Sequence, residues 1–321
     1  MPDNLASKNI VLFGTGPMAM AYTKVLQHLN ANFTVVGRSE EGANKFHEQT
    51  GIAAIPNGVS GWLKKGNTKA DYGIIAVSFE CLANTAVELI GTGIRNLLLE
   101  KPAGLTIQEI KSVCEKAKET GTQVFVGYNR RFYASVIKAK KLIEDDGGVL
   151  SFNFEFTEWC DRIPEKLKYS DTGKNWFLAN SSHVADMAFY LGGEPKELHA
   201  CAAGGNDWHP TATIFSGAGV TQAGALFSYQ ANWDAPGRWG LELLTRHNRF
   251  ILCPLEKLKV QKLNSIHTED INIDDQLDIA FKPGVYRQTK SFIEDIPDAP
   301  FIDIKKHYEN VTTHYKNILR P

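Results

Sequence analysis

Val11-Leu12-Phe13-Gly14-Thr15-Gly16-Pro17-Met18-Ala19 is the stretch that decides the fold. An apolar strand runs into glycines spaced as Gly14-x-Gly16-x-x-Ala19, and an apolar helix with Ala19, Ala21, Tyr22, Val25 and Leu26 comes directly after. In that setting Gly14 permits the tight turn, Gly16 lets the backbone approach a pyrophosphate, and Ala19 allows close helix-to-strand packing. The anion would rest on the helix N-terminus, touching the loop made by Thr15, Pro17 and Met18. A glycine turn of this kind can also open another doubly wound domain, so its weight depends on the strands and helices beyond it.

The second strand (33–36) ends at Gly37-Arg38-Ser39. An NAD site usually carries an acidic residue there for the ribose hydroxyls, whereas an arginine suits a 2′-phosphate. Arg38 with Ser39 therefore tilts the cofactor toward NADP. NAD stays possible, because Glu40 and Glu41 lie just beyond and an arginine can stack on adenine.

Strand and helix continue to alternate. A strand at 73–77 leads through Ser78 to a helix at 81–90, and the apolar strand Leu97-Leu98-Leu99 ends on Glu100-Lys101-Pro102-Ala103. A helix at 106–119 and a strand at 123–126 complete the series. Strands alternating with helices imply a doubly wound parallel sheet. A lysine at the carboxyl end of such a strand lies at the mouth of a dinucleotide site, where a proton donor beside a nicotinamide ring has to be.

The grammar changes after a helix at 135–144. Alternating stretches at 150–158, 197–203, 211–215, 221–231 and 239–244, joined by glycine-rich turns, predict a mostly antiparallel open sheet. A helix at 181–191 closes on Gly192-Gly193, and another spans 304–319. The boundary falls near Gly127, giving a dinucleotide-binding domain at 1–126 and an α+β domain for substrate binding and assembly at 127–321.

Gly14-Thr15-Gly16-Pro17-Met18-Ala19, Glu100-Lys101-Pro102, Gly127-Tyr128-Asn129-Arg130-Arg131-Phe132 and Ser182-His183-Val184-Ala185-Asp186, in this order and spacing, resemble the Gfo/Idh/MocA family (glucose-fructose oxidoreductase, inositol dehydrogenase, rhizopine catabolism). The resemblance extends over more than half the chain. It implies a Rossmann domain followed by an open-sheet domain, cofactor contacts from Ser78, Glu100, Lys101 and Asn129, and catalytic roles for Lys101 and His183. The family pattern pairs the histidine with an aspartate or asparagine four residues earlier. Here that position is Ala179, with Asn180 next to it, so Lys101 is the better supported of the two. Ser78-Phe79-Glu80 also departs from the family's usual Thr-Pro.

Oxidising a secondary alcohol requires a base within hydrogen-bond reach of the hydroxyl while the carbon gives its hydride to the nicotinamide. Lys101 and His183 are candidates for that base, although Lys101 could merely hold the cofactor and His183 could be a helix-start residue with a structural bond. Asp186 reads as a structural partner, and Arg130 and Arg131 as ion-pairing residues of which at least one faces substrate. Aromatic residues and arginines (Tyr128, Arg130, Trp176, Arg238, with Trp159, Trp233 and Trp239) suit a sugar ring bearing a charged or nucleotide group, and Asn180 joins them. A sugar or nucleotide sugar is the expected substrate. A cofactor-sensing binding protein, or an oxidation-assisted elimination or epimerisation of a sugar, are the alternatives.

In a chain of 321 residues, 35 basic side chains are interspersed with 36 acidic ones, which gives no footprint for nucleic acid or an anionic membrane. No stretch approaches a membrane span. The polar start and the five scattered cysteines (Cys81, Cys114, Cys160, Cys201, Cys253) point to a cytoplasmic protein with reduced thiols. No metal site is expected, since the nine histidines show no ligand spacing. Apolar residues expected on both faces of the second sheet (Phe152, Phe154 and Phe156 against Leu150) predict a homodimer or homotetramer.

Overall fold

The computed structural model describes residues 7–66 and 70–319. The chain divides into two compact units, one of Met1–Asn129 with Leu277–Tyr308, the other of Arg130–Gln276 with the chain from Glu309.

The first unit is built on β1 (Asn9–Phe13), β2 (Asn32–Val36), β3 (Ala54–Ile55), β4 (Tyr72–Ile75), β5 (Asn96–Glu100) and β6 (Gln123–Gly127). They lie in the order β3-β2-β1-β4-β5-β6, all parallel, so the order reverses between β1 and β4. Their near-continuous apolar runs follow from helices covering both faces. Thr106 and Glu109 form a reciprocal capping box at the start of the Ile107–Thr120 helix, which closes on Gly121 at φ 69°.

The sequence pattern assigns everything after 127 to the second domain, and the structure corrects this. Leu277–Tyr308 belongs to the first unit. Val285, Phe292 and Ile293 bury themselves with Leu12, Tyr22, Val25 and Ile74 in one core. The Ile302–Asp303 strand then adds antiparallel to β6.

The second unit contains β7 (Ser151–Glu155), β8 (Pro195–Ala203), β9 (Ile214–Thr221), β10 (Leu226–Asn232), β11 (Gly240–Leu244), β12 (Asn248–Leu252), β13 (Lys259–Lys262) and β14 (Thr268–Asp270). Their order is β14-β13-β12-β11-β7-β10-β9-β8; β7 and β10 pair in parallel and the other neighbours are antiparallel. Of the stretch expected at 211–215 only Ile214 and Phe215 are strand, opening a β9 that runs on to Thr221, and the one expected at 221–231 begins as a turn with Gly224 at φ 90° before β10. β13 and β14 carry no clear sequence signal because they are short and mostly polar, and β12 is only five residues long.

Phe152, Phe154 and Phe156 all lie on one face with Phe227, Tyr229, Leu241 and Leu243. Phe189 of the Ser182–Gly192 helix covers them, its ring 5.5 Å from those of Phe154 and Phe227. The other face is corrected from apolar to largely polar, carrying an Asn153 to Ser228 hydrogen bond of 2.8 Å and an Arg249 to Glu242 ion pair, with Leu226, Ile214 and Leu244 exposed among them. The helix expected at 181–191 also starts earlier: a π turn over Phe177–Ser181 runs straight into Ser182–Gly192, so His183 is not at a helix start. The C-terminal helix forms as Ile304–Asn310, a π turn at Val311–Tyr315, and Lys316–Ile318.

Candidate active site

At the end of β1, Gly14 adopts φ 130°, and a Cβ there would lie 2.1 Å from the Ala76 carbonyl oxygen. Only glycine allows β1 and β4 to approach this closely. Gly16 is the N-cap of the Pro17–His28 helix, and a Cβ on it would meet nothing within 4 Å. Pro17 occupies the first turn and Met18 packs toward the core. The cap receives no side-chain bond and the first turn holds no acidic residue, so its amides and the positive helix end are suited to an anion. Thr15 rests against Gly37, whose Cβ would come within 2.9 Å of the threonine methyl. This turn fits the pyrophosphate of a dinucleotide.

Arg38 is exposed, its Nη1 3.8 Å from Cys81 Sγ. The Ser39 hydroxyl oxygen accepts from the Gly42 amide at 3.2 Å and caps the Glu40–Thr50 helix, whose first turn holds Glu40 and Glu41. The Ser78 carbonyl accepts from the Cys81 amide at 2.9 Å.

The end of β5 is held from several sides. The Glu100 carboxylate accepts the Tyr22 hydroxyl proton at 2.6 Å, both groups being buried. Burial pushes the Glu100 carboxyl above its ordinary range, against the pull of Tyr22 and of Lys101, while burial and Glu100 push the Tyr22 phenol well up. Past Glu100 the Lys101-Pro102 peptide is cis, and Ala103 turns through φ 68° with its amide donating to the Glu100 carbonyl at 3.0 Å. His307 Nε2 lies 2.9 Å from the Pro102 carbonyl. Lys101 is thus carried on a fixed turn, 8 % exposed, with Nζ 5.1 Å from the centre of the Phe79 ring. Glu100, expected at the cofactor, spends its carboxylate on Tyr22. Asn129 Nδ2 donates to the Pro283 carbonyl at 2.8 Å, and Tyr128, expected at substrate, is buried with its ring 5.6 Å from His307.

In the second unit Arg131 makes two hydrogen bonds to Asp186, Nε to Oδ2 at 2.8 Å and Nη2 to Oδ1 at 2.7 Å. This pair is internal and structural. Arg130 and Arg238 differ: each guanidinium carbon lies 4.6 Å from the centre of the Trp239 ring, and Arg238 is also 4.6 Å from that of Trp159. The buried His183 ring is 6.5 Å from Trp239. Trp176 packs edge-on at 6.3 Å against Trp208, which stacks on Trp233 at 6.0 Å.

Asn180 does not face outward. Its Nδ2 donates to both oxygens of Glu158 at 3.1 and 3.0 Å, and Ser181 Oγ donates to Oε1 at 2.6 Å. Glu158 is only 3 % exposed; burial pushes its carboxyl up, while Ser181, Asn180 and Arg238 draw it back. Sequence reasoning assigns no role to Glu158 or Phe79. The signal for Glu158 is its parity: it continues the row Phe152, Phe154, Phe156, where a carboxylate on an apolar row demands partners.

The sequence profile of a family described as "Oxidoreductase family, NAD-binding Rossmann fold" matches residues 8–128. Over 103 residues the chain is 29 % identical to the myo-inositol 2-dehydrogenase of Thermotoga maritima, covering 32 % of this chain and 30 % of that one. Over 130 residues it is 28 % identical to the levoglucosan dehydrogenase of Pseudarthrobacter phenanthrenivorans, covering 38 % and 33 %. The chain thus matches about a third of the length of these curated relatives. A solved structure of levoglucosan dehydrogenase in complex with NADH superposes with a TM-score of 0.78 over 97 % of this chain and 96 % of that one, at 18 % identity, a likeness of fold.

Proposed function

We propose that this chain, whose residues 8–128 match the oxidoreductase family model and which is similar over about a third of its length to sugar and inositol dehydrogenases, is a Gfo/Idh/MocA NAD(P)-dependent dehydrogenase or reductase acting on a secondary alcohol of a sugar or nucleotide sugar. The observation that carries the reading is the Lys101 turn: a buried lysine fixed at the carboxyl end of β5, in the unit whose Gly14 to Ala19 turn suits a dinucleotide. When bound, the nicotinamide supplies the hydride acceptor or donor.

In the oxidising direction Lys101 takes the proton from the reacting hydroxyl, and the fixed turn limits the reorganisation this requires. The proton is taken by the neutral amine form of Lys101, whose Nζ is walled on one side by Phe79. His183 is assigned the second catalytic role, with a smaller share because Ala179 offers it no acid. NADP is the expected cofactor on the strength of Arg38, and Arg130 and Arg238 are the expected substrate contacts. Leu226, Ile214 and Leu244 on the open face of the second sheet support a homodimer or homotetramer formed there, and a strictly monomeric mass at micromolar concentration would exclude it.

A non-catalytic cofactor sensor is the second reading, favoured by the fully buried Ala179 where the resemblance implies a polar partner. One experiment separates the two. The purified protein is given NAD+ or NADP+ with a panel of sugars, sugar acids and nucleotide sugars, and the reduced-cofactor absorbance is followed. Turnover with at least one of them is expected. Tight cofactor binding without turnover across the panel would favour the sensor. Weaker binding of NADPH than of NADH would overturn the role of Arg38, and Arg38→Ala should weaken NADPH far more than NADH.

A further inference from the structure

We propose that the substrate carries an oxyanion, a carboxylate or a phosphate, and that Arg130 and Arg238 recognise it from their shared seat on Trp239; this rests on the reading of the chain as a sugar oxidoreductase. Both guanidinium carbons lie 4.6 Å from the same indole centre, so they are at most twice that far apart. Two cations held this close repel each other, and nearby anions must offset the repulsion.

Among the described residues neither guanidinium donates a hydrogen bond or enters an ion pair, and Arg130 Nε is shielded from solvent without a partner. Three other arginines are paired with carboxylates: Arg131 with Asp186, Arg249 with Glu242 and Arg287 with Asp278. The carboxylates whose fields reach Arg130 are Glu158 and Glu256. Glu158 has both oxygens engaged by Asn180 and Ser181, and Glu256 is exposed. Neither supplies the two-pronged partner that a planar guanidinium accepts best.

The seat is also held in place. Trp159 is 52 % exposed, yet its Nε1 donates to the Gly237 carbonyl at 2.7 Å, which fixes the ring against which Arg238 lies. Stacking on indoles orients a guanidinium while leaving its edge donors available, so the cost of ordering two long side chains is met before any ligand arrives. A ring with an attached carboxylate or phosphate fits such a seat.

The test uses the full chain and its tryptophan fluorescence. Inorganic phosphate, glucuronate, glucose 6-phosphate and glucose are titrated at matched ionic strength. A saturable change is expected with phosphate or glucuronate, with glucose much weaker than its charged counterparts; comparing the two charged sugars tells carboxylate from phosphate. Arg238→Lys and, separately, Arg130→Lys keep the charge but lose the planar fork, and each should weaken the anions by about tenfold or more, the worth of one charge-assisted hydrogen bond. Absence of any saturable response to both phosphate and glucuronate would overturn the inference, as would equal affinity for glucose and its acids or unaltered anion binding in both variants. Anion binding without turnover of any sugar would instead count against the oxidoreductase reading. Turnover of a neutral sugar that ignores both substitutions would spare that reading and remove this one.

Discussion

The turn that carries Lys101 and the seat that carries Arg130 and Arg238 solve opposite problems. Around Lys101 nearly every neighbour is tied down: Glu100 to Tyr22, Pro102 to His307, Asn129 to Pro283. Around Trp239 the Trp159 indole is tied to the Gly237 carbonyl, while the guanidinium donors make no bonds among the described residues. The first arrangement suits chemistry common to many substrates. The second suits recognition, where the partner is supplied from outside.

The largest blow to the first arrangement should come from Gly14→Ala. Its new methyl meets the Ala76 carbonyl at a φ of 130°, so a loss of roughly 3 kcal/mol or more in urea unfolding is expected, together with loss of cofactor binding. A variant that folds and binds normally would show that β1 and β4 can part without consequence.

Lys101→Ala should lower turnover at saturation by about a hundredfold, the usual scale of a positioned proton acceptor, with cofactor affinity nearly unchanged. Near-normal turnover on the true substrate would remove the lysine from the chemistry. If affinity fell instead, Lys101 would be a cofactor contact.

Tyr22→Phe sharpens the comparison by untying one bond of the turn. Removing the hydroxyl donor from the buried Glu100 carboxylate, which keeps its bond from the Lys101 backbone, should cost about 1 to 3 kcal/mol. The pH dependence has a definite sign. Glu100 holds its proton more tightly in the folded chain than when unfolded, so its contribution to stability is present at acid pH and falls as pH rises through the folded pKa. Urea midpoints should therefore drop more steeply toward neutral pH in Tyr22→Phe than in the parent; equal slopes would mean that Tyr22 does not govern this carboxyl.

Phe79→Leu is expected to have the smallest effect. It removes the ring facing Lys101 but keeps an apolar wall, and about 0.5 to 1 kcal/mol of cation–π energy is at stake. A several-fold change in turnover is the measurable consequence, and none at all would make Phe79 a packing residue.

Much of the first arrangement is legible in the sequence because it depends on local backbone rules. Gly14 and Gly16 announce a turn that other residues cannot make, and an apolar strand ending on Glu100-Lys101 announces its own position. The features that escape such reading depend on partners distant in sequence. The Val285–Ile293 helix is amphipathic, and amphipathicity alone does not say which core it joins. Asn180 reads as facing substrate, since the Glu158 that claims its amide lies on another strand's continuation. The alternation at Phe152, Phe154 and Phe156 is correct, but which face a helix covers depends on the location of Phe189. The π turn at Phe177–Ser181 has no sequence period that distinguishes it from an ordinary helix turn.

The return of Leu277–Tyr308 to the first unit bears on how the chain is made. Vectorial synthesis delivers β1 to β6 before the open sheet, but Val285, Phe292 and Ile293, which wall their core, leave the ribosome after it. Until then the nascent sheet exposes an apolar flank while the whole open-sheet unit is produced behind it, the kind of surface on which folding intermediates aggregate. A fragment stopping at residue 129 is the same species made permanent, and it should require a chaperone or a graft of the returning helix to stay in solution.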